Sequence, residues 1–289
     1  MALGSRILTW FDGRWHDGNV RIMGAADHGT WQGTLVFDGA RAYDGVAPDL
    51  DLHCARVVRS AETMGLAPPL GAAEIEALVL EGVHRFGGDR PLYLRPMLWS
   101  LEASPALIDA VPESTVLAVC IEDLPFREPA PLALTVSPFR RPSPDAALCE
   151  AKAACHYPNN ARIIREARAR GFHNALSLDQ QGHVAETAST NVFLVRDGVV
   201  MTPVANGTFL NGITRQRVIA LLRDDGVEVR ETTVDVADFD AADEIFLTGN
   251  ANKVVPVTRF EAREIGAGPV AARAWDLYRD YAHQSRRAA

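Results

Sequence analysis

Apolar positions recur at helical spacing over residues 50–65 (LDLHCARVVRSAETMG), and the pattern stops at Gly65. The same period predicts a helix over 72–86 closed by Gly87–Gly88, and one from Asn159 to Arg170 ended by Gly171. A clear amphipathic stretch runs from Gly212 to Asp225 before Gly226, and a last one covers about Val270 to Arg286. Between them, aromatic and β-branched runs read as strands: PLYLRPMLW, STVLAVCIED, LALTVSPF, NALSLD, NVFLVRDG, VVMTP, VEVRET and EIFLTG. Asp12-Gly13 and Asp197-Gly198 sit between strand formers and predict hairpin turns. Helices and strands mix without strict alternation, which predicts an α+β fold. The proline-bearing stretch Leu124 to Pro131 is the best candidate linker. It divides the chain into a small domain over 1–126 and a larger one over 127–289, with a cleft expected between them.

Composition narrows the function classes. Of 289 residues 47% are apolar and 23% charged, the balance of a soluble globular protein with a sizeable core. A net charge of −8 gives no electrostatic reason to expect nucleic acid or an anionic membrane as partner. No apolar run approaches the ~20 residues of a membrane span. The start, MALGSRILTWFDG, lacks a signal-peptide layout. Cys54, Cys120, Cys149 and Cys155 are scattered without metal-ligand spacing, so they read as reduced thiols of a cytoplasmic protein, with no metal site. No fixed-period repeat is visible.

The strongest local feature is Leu210-Asn211-Gly212-Ile213-Thr214-Arg215, which follows a Gly/Asn-containing loop and opens an amphipathic helix. Asn211 suits the N-cap, and Gly212 allows close approach to the backbone. The amides of Ile213 and Thr214 then point outward at the positive end of the helix dipole, a seat for phosphate. The same residues also describe a well-capped helix with nothing bound. A second loop, Thr248 to Asn252, follows a strand and offers further donors, or is simply a turn. Lys152 lies among Ala151, Ala153 and Ala154; a lysine desolvated by such neighbours becomes a usable nucleophile for a carbonyl, whereas a lone lysine is ordinarily a surface charge. Glu186, in VAETASTNVF, reads in isolation as a surface or helix-start carboxylate.

Taken together, YLR at 93–95, AKAACHYPNN at 151–160, GHVAETASTNVF at 182–193, FLNGITRQ at 209–216 and FLTGNANKVVPV at 246–257 resemble the class IV (fold type IV) aminotransferases that use pyridoxal 5′-phosphate. Among these the branched-chain amino-acid aminotransferases are most similar. The likeness runs from about residue 10 to residue 285, in the same motif order. It implies the D-amino-acid aminotransferase-like fold, with a small N-terminal domain, a larger cofactor-binding C-terminal domain and the cofactor between them. It implies that Lys152 is the lysine that carries the cofactor. Tyr157 matches the tyrosine that bonds its phenolic oxygen, and Glu186 the carboxylate that faces its pyridine nitrogen. Arg56, Leu210, Gly212, Ile213, Thr214, Gly249 and Asn250 match the residues that hold its phosphate.

The resemblance further implies a homodimer acting on a small-molecule amino donor and a keto-acid acceptor, in branched-chain amino-acid biosynthesis. Tyr93 and Arg95 match a pair that faces the substrate carboxylate; Arg95 can meet a carboxylate with two donors. Phe37 and Gly39 match the pocket wall near the cofactor, and Ala251, in the second phosphate loop, is a further substrate residue; a large apolar side pocket would accept leucine, isoleucine or valine side chains. Two positions depart from the family pattern. Gln32, beside Trp31, stands where a tyrosine is usual, and Asn250 stands where a threonine is usual. An (R)-selective amine or D-amino-acid transaminase on the same fold is therefore the alternative reading. A lyase related to aminodeoxychorismate lyase is a further one, against which the YLR pair argues.

Overall fold

The computed structural model describes residues 4–87, 90–126 and 132–284. Gly88, residues 127–131 of the expected linker and the last two residues of the expected final helix lie outside the described residues. The chain forms two units: one spans residues 1–126, 151–155 and 282–289, the other 127–150 and 156–281, as far as each is described.

The first unit is built on one antiparallel sheet. Its strands are β1 (Ile7–Phe11), β2 (Arg14–Asp17), β3 (Val36–Phe37), β4 (Ala40–Ala42), β5 (Leu92–Ser100) and β6 (Thr115–Asp123), ordered β2-β1-β6-β5-β3 with β4 also on β5. Asp12 and Gly13 both take positive φ, 52° and 74°, which is the turn their sequence predicts. The short helix α1 (His28–Trp31) was not legible in the pattern; α2 (Leu50–Thr63) and α3 (Ala72–Phe86) fall where the period placed them. Side chains of β5 alternate. Leu92, Leu94 and Leu98 join Val57 and Ala61 of α2 and Ile75 and Val79 of α3 in the core. Tyr93 and Arg95 point to the opposite face, in register with Glu122 and Cys120 of β6 and Arg41 of β4.

Residues 151–155 belong to this unit for a backbone reason. Ala153 bridges Val36, the Phe37 amide donates to the Lys152 carbonyl at 3.1 Å, and the Ala154 amide donates to Leu35 at 2.8 Å. Ala151 and Ala153 enter the core beside α2. Lys152 is thus carried by a short strand-like segment sewn to β3.

The second unit stacks two sheets. One has the order β12-β11-β10-β13-β14, with β10 (Asn191–Arg196), β11 (Val199–Pro203), β12 (Val229–Thr232), β13 (Glu244–Gly249) and β14 (Lys253–Val257). The other has the order β16-β15-β7-β8-β9, with β7 (Ala133–Val136), β8 (Asn174–Leu178), β9 (Val184–Thr187), β15 (Arg259–Phe260) and β16 (Arg263–Glu264). Leu134, Leu176 and Val184 of the latter meet Val192, Leu194, Ile245 and Leu247 of the former in a shared core closed by Phe239 and Phe260. Phe239 comes from a short helix, α6 (Val236–Asp240), that the sequence pattern did not reveal. Around this core lie α4 (Tyr157–Ala169), α5 (Ile213–Asp224) and α7 (Pro269–Gln284). Among the described residues no helix is long and apolar enough to cross a membrane. Cys54, Cys120 and Cys149 are buried and Cys155 is exposed, all as free thiols.

Gly82 of α3 shows how tightly the first unit is packed. A Cβ there would lie 2.2 Å from the Trp15 ring and 2.5 Å from Ile121 Cδ1. Replacing Gly82 by alanine gains about 1 kcal/mol of helix propensity, but overpacking costs about 1–3 kcal/mol. Gly82→Ala is therefore expected to lower the thermal unfolding midpoint despite the propensity gain, and a raised midpoint would contradict this packing.

Candidate active site

In the first unit three consecutive residues, Phe37-Asp38-Gly39, organise the expected site residues. The Phe37 ring lies 5.2 Å from Lys152 Nζ, so the amine rests against an aromatic face. Gly39 lies against Tyr93: a Cβ at this position would fall 2.2 Å from the Tyr93 hydroxyl, so only glycine admits the ring. Between them Asp38, fully buried, accepts two hydrogen bonds from Arg56 at 2.6 and 2.7 Å and pairs with His53 Nδ1 at 2.7 Å. Burial by itself raises the Asp38 pKa. The Arg56 and His53 charges and hydrogen bonds outweigh it and hold the carboxyl well below the usual range. Arg56, expected as a phosphate clamp, is therefore fixed in orientation by a bidentate fork from beneath.

Tyr93 and Arg95 are brought together, with the guanidinium 4.9 Å from the ring centroid. Arg95 also has a carboxylate partner of its own: Nη2 lies 2.8 Å from Glu122, a buried residue on β6. Burial lowers the Arg95 pKa, but Tyr93 and Glu122 more than offset this and raise it. Trp31 and Gln32 lie with the β5–β6 connection. Gln32 donates to the Leu107 carbonyl at 3.4 Å, while the Trp31 ring stands edge-on to His28 and is 51% exposed.

In the second unit the helix start that the sequence singled out is present. The first α5 bond runs from the Gln216 amide to the Gly212 carbonyl at 2.9 Å, so the amides of Ile213 and Thr214 precede the helical ladder. Asn211 is not the N-cap, contrary to expectation. Gly212 holds that position with extended backbone, and the Asn211 side chain instead accepts from Arg215 at 2.8 Å. Arg215 is almost wholly buried and needs acceptors more than the helix end needs a cap.

Glu186, on β9, is buried rather than on the surface. Its carboxylate faces Arg141 at 3.4 Å and Asn191 Nδ2 at 3.4 Å. The same Asn191 amide donates to the Leu210 carbonyl at 2.9 Å. A Cβ on Gly212 would strike Asn191 Oδ1 at 2.1 Å. One asparagine thus fixes the spacing between the carboxylate and the helix start. Arg141 is held in turn by the Thr208 carbonyl at 3.0 Å and Asn160 at 2.9 Å. Tyr157 opens α4 and is 39% exposed. Asn191 pairs across the sheet with Thr248, which leads through Gly249 to Asn250 and Ala251. Thr248 Oγ1 and Asn250 Nδ2 are buried without a hydrogen-bond partner in the protein.

Sequence reasoning missed Asp38, His53, Arg141, Asn191 and Glu122, whereas Thr248 opens the second donor loop that it named. Asp38 and Asn191 lie inside the motifs VFDGAR and ASTNVF, beside residues that were singled out. Arg141, His53 and Glu122 carry no local signal.

A family model described as amino-transferase class IV matches residues 35–260. A probable branched-chain-amino-acid aminotransferase of Rickettsia conorii is 35% identical over 219 residues, covering 76% of this chain and 75% of that protein. Among solved structures, an aminotransferase from Brucella abortus bound to the cofactor PLP is 53% identical. It covers 96% of this chain and 99% of its own, with a TM-score of 0.95. The branched-chain aminotransferase of Thermoproteus uzoniensis, crystallised with norvaline, is 30% identical. It covers 98% of this chain and 97% of its own at a TM-score of 0.89.

The buried Asp38 cluster has a pH signature. Its folded pKa lies below the unfolded value of 3.8, so its stabilisation is complete above that value and is lost as pH falls through the folded pKa. Asp38→Asn leaves Arg56 and His53 without their carboxylate and should cost about 3–5 kcal/mol near neutrality. The variant should also lose less further stability than the wild type between pH 5 and pH 2. Urea unfolding across that range checks both, and parallel curves would refute the assignment.

Proposed function

Because the chain belongs to the class IV aminotransferases, whose cofactor is pyridoxal 5′-phosphate, we propose that it moves an amino group from a branched-chain L-amino acid to 2-oxoglutarate in a ping-pong cycle. The observation that carries the transaminase reading is the set of partners around the expected cofactor residues: Lys152 on the half-buried Phe37, Arg56 on the buried Asp38, and Glu186 between the buried Arg141 and Asn191. The choice of donor is supported by the similarity to branched-chain enzymes from Rickettsia conorii and Thermoproteus uzoniensis.

The residues present fit the cofactor. Two buried donors without protein acceptors are Thr248 Oγ1, on the strand paired with the one that carries Asn191, and Asn250 Nδ2, in the turn that follows; Asn191 itself touches the α5 start. An anionic phosphate is what such a donor set binds best. When bound, pyridoxal phosphate supplies an electron sink for negative charge at the substrate Cα. Ile213, Thr214, Asn250 and Arg56 would hold its phosphate, with Leu210, Gly212 and Gly249 giving the backbone room to approach. Glu186 would keep a proton at its ring nitrogen, and Tyr157 would donate to its phenolic oxygen. Lys152 Nζ would hold the cofactor and, as a free amine, would be the base for the proton at the substrate Cα. By resemblance, Tyr93 and Arg95 would face the donor's carboxylate and Phe37 and Gly39 would lie along its side chain, with Trp31, Gln32 and Ala251 as further substrate residues.

A second reading, an (R)-amine transaminase, is favoured by one observation: Glu122 already pairs with Arg95, so that guanidinium has less charge to offer an α-carboxylate, a group that a simple amine lacks. Homodimerisation and a cytoplasmic location are part of the proposal.

With L-leucine or L-isoleucine as donor and 2-oxoglutarate as acceptor, turnover is expected. Reaction only with (R)-1-phenylethylamine and pyruvate would establish the second reading instead. Borohydride reduction of the loaded protein should leave the pyridoxyl mass on the Lys152 peptide; label on another lysine refutes its role. Glu186→Gln should fold and bind cofactor yet lose activity by on the order of 100-fold or more, whereas near-normal turnover would remove Glu186 from the site.

A further inference from the structure

Lys253, the first residue of β14, is 1% exposed and takes a positive φ of 59°. Its ammonium lies 2.8 Å from Asn250 Oδ1 and 5.4 Å from the Tyr278 ring centroid. An ammonium only donates hydrogen bonds, so the amide oxygen of Asn250 must face it. That removes the usual ambiguity of an asparagine flip and turns Nδ2 the other way. Nδ2 is buried and meets no protein acceptor; Thr248 Oγ1, two residues earlier, is in the same condition. A buried donor left unpaired is costly, so two so close in sequence are a standing preference for an acceptor that the protein does not supply.

We propose that Lys253 is a positioning residue: by locking the amide of Asn250 it presents Nδ2, together with Thr248 Oγ1, to an anionic oxygen of a bound ligand. Within the proposed function that oxygen belongs to the cofactor phosphate or to the substrate carboxylate. The lock matters because Asn250 stands where a threonine is usual. A hydroxyl can rotate to suit an anion, whereas an amide that flips would present its oxygen and repel one.

The test compares Lys253→Met, Asn250→Ala and the double variant, with thermal unfolding recorded for each. Apoprotein is titrated with pyridoxal phosphate and with pyridoxal, which lacks the phosphate, by absorbance. For a donor facing the phosphate, Lys253→Met should weaken pyridoxal phosphate about five- to tenfold and leave pyridoxal unchanged. The effect should vanish in the Asn250→Ala background. For a donor facing the substrate, cofactor affinity holds. The KM of L-leucine then rises by a similar factor while that of 3-methylbutylamine, the same donor without its carboxylate, does not. An equal loss with and without Asn250, or no change in either affinity or KM, overturns the proposal.

Should Lys253→Met fail to fold, Asn250→Asp keeps the lysine pair while exchanging donor for acceptor. It must then lose more than Asn250→Ala, and an equal or smaller loss overturns the proposal too. Wild-type protein that binds no pyridoxal phosphate sinks the proposed function separately. In that case the stabilisation of wild type by inorganic phosphate, absent in both Asn250→Ala and Lys253→Met, still decides the role of Lys253: phosphate stabilisation that persists in Lys253→Met, or that wild type itself lacks, counts against it.

Discussion

A carboxylate without solvent, Asp38, is the interaction on which the first unit's chemistry rests. Desolvating an ionised carboxyl is costly unless charges and donors surround it, and Arg56 and His53 provide both. Because Asp38 sits between Phe37 and Gly39, the same three residues set the position of the guanidinium, the aromatic face under Lys152 and the close approach of Tyr93. A shift in any one of them would move all three. The segment carrying Lys152 is tied to this point by backbone bonds to Leu35 and Phe37, so the amine inherits its rigidity.

The second unit has its own counterpart in Asn191. Its amide spans a carboxylate at one end and the backbone before α5 at the other, and its oxygen leaves Gly212 no room for a side chain. The distance between a group suited to a ring nitrogen and a group suited to a phosphate is thereby built into a single side chain. Arg141 completes the arrangement by giving the buried Glu186 a cationic partner.

Under the proposed function, substrate choice would lie on the outer face of β5 and β6, where Arg95 and Tyr93 share space with Glu122. A guanidinium already paired with a buried carboxylate remains a donor, but its net pull on a second carboxylate is reduced. On that reading the balance between amino acids and simple amines would be an electrostatic property of the strand pair, not of the YLR motif alone.

The α+β class, the principal helices, α5 among them, and both Asp-Gly turns were legible because each is written in local periodicity or turn chemistry. Lys152, Glu186 and Ile213-Thr214 were legible as parts of motifs, by resemblance. Their partners were not. His53 and Arg56 share a helix face, but nothing local says that Asp38 lies beneath them, and Arg141 precedes Glu186 by 45 positions. The N-cap was misread because Asn211 had a competing partner, Arg215, whose burial only the fold reveals. Sequence determined which elements form and which residues carry chemistry, since backbone propensity and side-chain type act over a few positions. Tertiary structure alone decided which charges are paired, buried or left with an unmet donor, because those properties depend on neighbours that the chain brings together only when folded.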